Sequence, residues 1–94
     1  MNYLHHEFEA GPQDVIEVTL DHPANVQLLD PANWDNYRNG RTFRYYGGHA
    51  TESPVRLTPP RQGRWHLVID LGGRAGTVQA WARLLSGELA GSTP

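Results

Sequence analysis

The run Trp65-His66-Leu67-Val68-Ile69-Asp70-Leu71 alternates, with Trp65, Leu67, Ile69 and Leu71 facing one way and His66 and Asp70 the other. A period of two marks a β-strand with one buried face. The rest of the chain supplies partners for it. In Val15 to Leu20, Ile16, Val18 and Leu20 point opposite to Glu17 and Thr19, and Val26 and Leu28 resume the pattern after the break at Pro23. Tyr3 to Glu9 shows a weaker version, with Leu4, His6 and Phe8 on one face, before Gly11-Pro12 turns the chain. Val55 and Leu57 alternate after Pro54 and stop at Pro59-Pro60. Short strands with one apolar face must bury it against a second layer. The expected fold is therefore all-β and mostly antiparallel, a small β-sandwich or barrel-like domain.

Three segments read differently. Asp30 as N-cap, Pro31 at the first helical position and Gly40 past the end predict a short helix near residues 31–39. That helix would place Trp34, Tyr37 and Arg38 on one side. A hairpin at Asn39-Gly40 is the rival, but it leaves Asp30-Pro31 unexplained. Phe43 to Tyr46 reads as an aromatic strand ending at Gly47-Gly48. Residues 77–85 fit both periods: Val78, Trp81, Ala82 and Leu85 at helical spacing, Val78, Ala80, Ala82 and Leu84 at strand spacing. Local propensity favours the helix. Residues 87–94 read as a flexible tail, which leaves a single domain over 1–86.

The chain has 94 residues, no cysteine and no apolar run near the ~20 residues of a membrane span. Disulfides and thiol chemistry are excluded. The N-terminus lacks the basic and apolar regions of a signal peptide, so a cytoplasmic location is expected. Charge is unevenly placed. Residues 1–35 hold seven acids and no arginine, whereas residues 36–65 hold six arginines against Glu52 alone. Either the middle segment faces an anion or acidic and basic elements pair across the fold.

Five of the nine aromatic residues and three of the eight arginines fall between Asn33 and His49. Rings interleaved with guanidiniums suit a base and its phosphate, since every base offers a π-face and every phosphate a charge. The candidate ligand-binding residues are Trp34, Tyr37, Arg38, Arg41, Arg44, Tyr45, Tyr46 and His49. The alternative is that these rings cover the core and the arginines pack on them. Asp70 to Gly76 (DLGGRAG) is a weak phosphate-loop signal if a helix follows, and a plain turn if a strand does.

Catalytic and metal chemistry find little support. Ser53, Ser86 and Ser92 sit before a proline or near the tail, and no carboxylate spacing suggests an acid–base pair. His5 and His6 point to opposite faces of a strand, and His66 lies about 13 Å from Asp70 at strand rise. His22 and His49 have no local carboxylate or histidine partner. No catalytic residue, metal ligand or cofactor is assigned from spacing, though a metal site built from distant elements stays open.

In order, DVIEVTL, ANVQLLDPANWDNYRNG, FRYYGGHATESPVRL and GRWHLVIDLGGRAGTV resemble the bacterial family catalogued as domain of unknown function 1883. The likeness covers about residues 1–85. Its most specific pieces are Arg44-Tyr45-Tyr46-Gly47-Gly48, Ser53-Pro54-Val55 and the stretch from Trp65 to Gly73. The resemblance implies a mostly β sandwich or barrel and a strand over 77–85. It also implies a sensing or adaptor role, because the family occurs fused to Toll/interleukin-receptor-like signalling domains. It carries over no catalytic residue.

The expected function is a non-enzymatic binding or sensing module for a small anionic or nucleotide ligand. The second expectation is a protein–protein interaction or self-association domain, including a homodimer, and the third a small hydrolase or lyase. Double-stranded nucleic acid and membrane are not expected partners.

Overall fold

β6 (Gly63–Asp70), the strand with the clearest alternation, lies inside a four-stranded sheet, with β1 (Tyr3–Ala10) on one side and β3 (Ala24–Leu29) on the other. β4 (Tyr46–Ala50) completes this sheet in the order β1-β6-β3-β4. A second sheet has the order β5-β2-β7, from β2 (Val15–Leu20), β5 (Val55–Leu57) and β7 (Ala80–Leu85). Among the described residues all five strand pairings are antiparallel. The one helix among the described residues, α1 (Pro31–Arg38), joins β3 to β4. This computed structural model describes residues 3–86; the segment 87–94, read above as a flexible tail, lies outside the described residues.

The core is what the alternation marks out. Ile16 and Val18 of β2, Val26 and Leu28 of β3, and Leu67 and Ile69 of β6 are all 0% exposed. Each such side chain contributes about 1.5–3 kcal/mol relative to exposure. Trp65 closes one end of the core, its indole N–H donating to the Arg61 carbonyl at 3.0 Å.

α1 forms because its ends are capped. The Asp30 carboxylate accepts from the Asn33 amide at 2.8 Å, and Pro31 occupies the first turn, where its missing N–H costs nothing. At the other end Gly40 takes φ +69, its N–H donates to the Tyr37 carbonyl and that of Arg41 to the Asn36 carbonyl. That pair of bonds is a Schellman stop. The helix has no fully buried residue and is held by tertiary contact instead. It lies on the outer face of the larger sheet, which is why His66 and Asp70, read as outward, are 5% and 4% exposed.

One expectation is corrected, and one alternative left open by spacing is decided in favour of the strand that the resemblance implies. The aromatic strand over Phe43 to Tyr46 is an irregular segment folded back on α1, with the Arg44 amide donating to the Asn33 side chain and Phe43 edge-on to Tyr37. Pairing begins only at Tyr46 and runs through the glycines. Gly47 has φ +118 and lies where a Cβ would collide with the Val26 carbonyl, so the close approach of β4 to β3 requires glycine. Residues 80–85 form a strand, against their helical propensity, because β2 takes them as its second partner. With a strand there, the glycines after Asp70 shape a turn, in which the Arg74 amide donates to the Leu71 carbonyl.

Candidate functional site

The expected site residues divide between two places on the molecule. Trp34 and Tyr37 point from α1 onto the outer sheet face. Trp34 stacks on His5 at 3.9 Å and 11°, and on His66 at 5.2 Å and 10°. The Tyr37 hydroxyl donates to Asp70 at 2.6 Å. Asp70 also accepts from the side chains of Asn25 and Gln27 and from the Gly72 amide, so both its oxygens are fully used. Burial pushes the Asp70 carboxyl up, but these four donors outweigh it and hold the group below the usual carboxylate range. Burial first, and then the Asp70 charge, push the Tyr37 phenol up. This cluster fastens the helix to the sheet.

Arg38 lies over the Trp34 ring at 5.3 Å and pairs with Asp35 at 2.9 Å. Arg41 pairs with the same carboxylate at 3.1 Å and donates to the Asn36 side chain. His49 is hydrogen-bonded to Asn25 at 3.2 Å. His22 does have a local partner, correcting the reading from spacing: its Nδ1 is 3.1 Å from Asp21.

Arg44, Tyr45 and Tyr46 are brought together elsewhere. With Asp30, Asn33 and Arg61 they line an open concavity of about 560 Å³ between the start of α1 and the end of the sandwich. Tyr45 and Tyr46 are 48% and 49% exposed, and Tyr46 rests edge-on against the buried Trp65 at 5.9 Å. Arg61 stacks over the Trp65 ring at 4.9 Å and pairs with Asp30 at 3.0 Å. The bonds from Asn33 and Arg61 hold Asp30 ionised although burial opposes it.

The uneven charge is largely settled by pairing. Arg56 and Arg83 both bind Glu17, Arg61 binds Asp30, Arg64 approaches Glu9, and Arg38 and Arg41 share Asp35. Among the described residues the guanidinium of Arg44 has no carboxylate partner. Counting Arg44 and Arg61 against Asp30, the concavity carries a net charge of +1.

Local spacing missed a third grouping. β1 and β6 pair with Glu7 directly opposite His66, and His5 is two residues from Glu7 on the same face. The His5 Nε2 and His66 Nδ1 atoms lie 2.9 Å apart, and a Glu7 oxygen is 3.8 Å from His66 Nδ1. The ligating atoms of all three residues fall within 4.8 Å of one another. Burial lowers the affinity of both imidazoles for a proton, only partly offset by Glu7. The available signal was the His-x-Glu spacing on β1 and His66 on the polar face of an otherwise largely apolar strand.

The family model of the Domain of unknown function (DUF1883) matches residues 1–86. The chain belongs to the DUF1883 family. The DUF1883 match covers every described strand and the helix, so all three groupings lie inside the family domain. No curated protein and no solved structure matches the chain. Among the described residues no helix is long and apolar enough to cross a membrane.

Proposed function

We propose that this DUF1883 domain is a non-enzymatic binding module whose ligand is a small phosphate-bearing anion, a nucleotide being the first choice. The ligand sits in the concavity of Asn33, Arg44, Tyr45, Tyr46 and Arg61. The observation that carries this reading is the Arg44 guanidinium, without a carboxylate partner among the described residues, beside two half-exposed tyrosine rings. A guanidinium binds phosphate through two parallel N–H bonds, and each tyrosine offers a face to a base. A volume of about 560 Å³ lies within the usual range for small-molecule sites. Trp34, Tyr37, Arg38 and Arg41, expected in the same site, have partners on or around α1, and His49 is bonded to Asn25 across β4 and β3.

A second reading, self-association with another copy, is favoured by β7. It is an edge strand, and Trp81 on it is 58% exposed. An apolar edge strand is a template for pairing.

A thermal-shift screen against nucleotides, sugars and simple anions, with light scattering on the same samples, separates the two. Saturable stabilisation of a monomer by a phosphate compound, lost in Arg44→Ala and weakened by salt, is the expected result. No shift with any compound, together with a dimer by scattering, moves the assignment to the second reading. Equal stabilisation of Arg44→Ala refutes the site.

A further inference from the structure

The geometry points to a divalent transition-metal site formed by His5 and Glu7 of β1 and His66 of β6, beneath the Trp34 ring. It is independent of the Arg44 concavity. Two residues on one strand face and a third directly across an antiparallel pair place three side chains on a rigid backbone. Two imidazole nitrogens and a carboxylate oxygen form a donor set that suits ions such as Zn²⁺ and Co²⁺.

The distances are close to those of a coordinated ion. Zinc–nitrogen bonds of about 2.0–2.1 Å at a tetrahedral angle put the two nitrogens about 3.3 Å apart. The His5 and His66 nitrogens are 2.9 Å apart and must separate by a few tenths of an ångström, while the Glu7 carboxylate, 3.8 Å from His66 and within 4.8 Å of His5, must swing in toward both. Glu7 is half exposed, so its carboxylate has room to turn.

The surroundings favour a metal over a proton. The two imidazole planes lie within 11° of each other, and Trp34 is nearly parallel to both, covering one side of the pair. Desolvation keeps the imidazoles neutral, the form that ligates. In the ion-free pair one ring nitrogen donates to the other. Coordination requires that proton to move to the far nitrogen of its ring, with no net release. Glu7 supplies the negative charge, and the guanidiniums of Arg38 and Arg64 oppose the cation. Three protein ligands leave a fourth position for water on the open Glu7 side.

The test titrates the chain with Co²⁺, followed by its visible d–d absorption, and with Zn²⁺, followed by thermal shift. Variants are Glu7→Gln, His5→Asn and, as a control, His6→Asn. His6 points to the opposite face of β1, and Glu7 is exposed enough to replace without disturbing the core. One ion per chain is expected, with a tetrahedral or five-coordinate cobalt spectrum. Glu7→Gln should weaken binding by at least about tenfold, His5→Asn should abolish the spectrum, and His6→Asn should leave it unchanged. Absence of both the spectrum and the thermal shift in the unaltered chain overturns the assignment. So does loss of binding in His6→Asn equal to that in His5→Asn, which means the ion is held by the adjacent pair, or undiminished binding in Glu7→Gln.

Discussion

Replacing Tyr37 by phenylalanine deletes one oxygen and keeps the ring, which remains edge-on to Tyr3 at 5.4 Å and Phe43 at 5.1 Å. What is lost is a 2.6 Å bond to a carboxylate that is 4% exposed. A hydrogen bond to a charged group contributes about 1.5–3 kcal/mol. A chain of this size is stable by roughly 5–14 kcal/mol in total. Tyr37→Phe should therefore remove a sizeable fraction of the stability, and lower Tm by at least about 6 °C. Asp70→Asn probes the same cluster from its centre. The Gly72 amide cannot turn, so the asparagine oxygen must stay there and its NH₂ must face the Tyr37 hydroxyl and the Gln27 amide. Those two groups can reorient, but all four bonds lose their charge, at a cost on the order of 3 kcal/mol.

Urea titrations read by circular dichroism and tryptophan fluorescence measure both variants and their combination. The double variant should show a coupling of at least about 0.5 kcal/mol. The acid limb carries the same signature. Asp70 is held below its ordinary value, so its contribution is complete above the unfolded carboxylate pKa, about 3.9, and is lost as pH falls through the lower folded value. Removing the Tyr37 donor raises that folded value and narrows the gap, so the variant's deficit should be largest above about pH 4 and shrink as pH falls and Asp70 becomes protonated. A Tyr37→Phe protein within about 0.5 kcal/mol of the parent, with no coupling to Asp70→Asn, refutes the claim that this cluster fastens α1.

Three further outcomes are expected. Gly47→Ala forces a side chain toward the Val26 carbonyl at φ +118 and should destabilise by about 1–3 kcal/mol, measured by urea titration. Because His5 and His66 bind a proton less readily folded than unfolded, stability should be complete above about pH 6.5 and decline below it. His5→Asn should flatten that slope in midpoints measured between about pH 5 and 8, and an unchanged slope contradicts the assignment. Glu17→Gln leaves Arg56 and Arg83 without their shared carboxylate and should lower Tm, by less in 1 M salt than in dilute buffer.

The strands that carry the core were legible because their neighbours in sequence reveal the buried face: Ile16-Val18-Leu20 and Trp65-Leu67-Ile69 need no knowledge of partners. The helix was legible from its ends, since Asp30, Pro31 and Gly40 act locally. β7 was not, because Ala-Trp-Ala-Arg-Leu-Leu suits either state and the choice is made by β2. Its Glu17 stands opposite Arg83, and its Val18 opposite Ala82. β4 was misplaced for a related reason. The glycines that usually end a strand here allow one, by letting two backbones approach.

The candidate sites follow the same division. The aromatic and arginine-rich segment was visible as composition, but which of its arginines lacks a carboxylate depends on the folded end of α1, which brings both Arg38 and Arg41 onto Asp35 and leaves Arg44 beyond it. His5, Glu7 and His66 meet only through the β1–β6 register, and Asp70 meets Asn25 and Gln27 only through that of β6 and β3. Register is a property of paired strands, and single-strand spacing does not contain it.

The central claim is that the concavity at Arg44 binds a phosphate-bearing anion. The most direct measurement is a two-dimensional amide NMR titration of the uniformly ¹⁵N-labelled chain with ADP, repeated on Arg44→Ala. Saturable shifts confined to Asn33, Arg44, Tyr45, Tyr46 and Arg61, absent from the variant, are the predicted result. Shifts that are missing, scattered over the surface, or equal in Arg44→Ala contradict it.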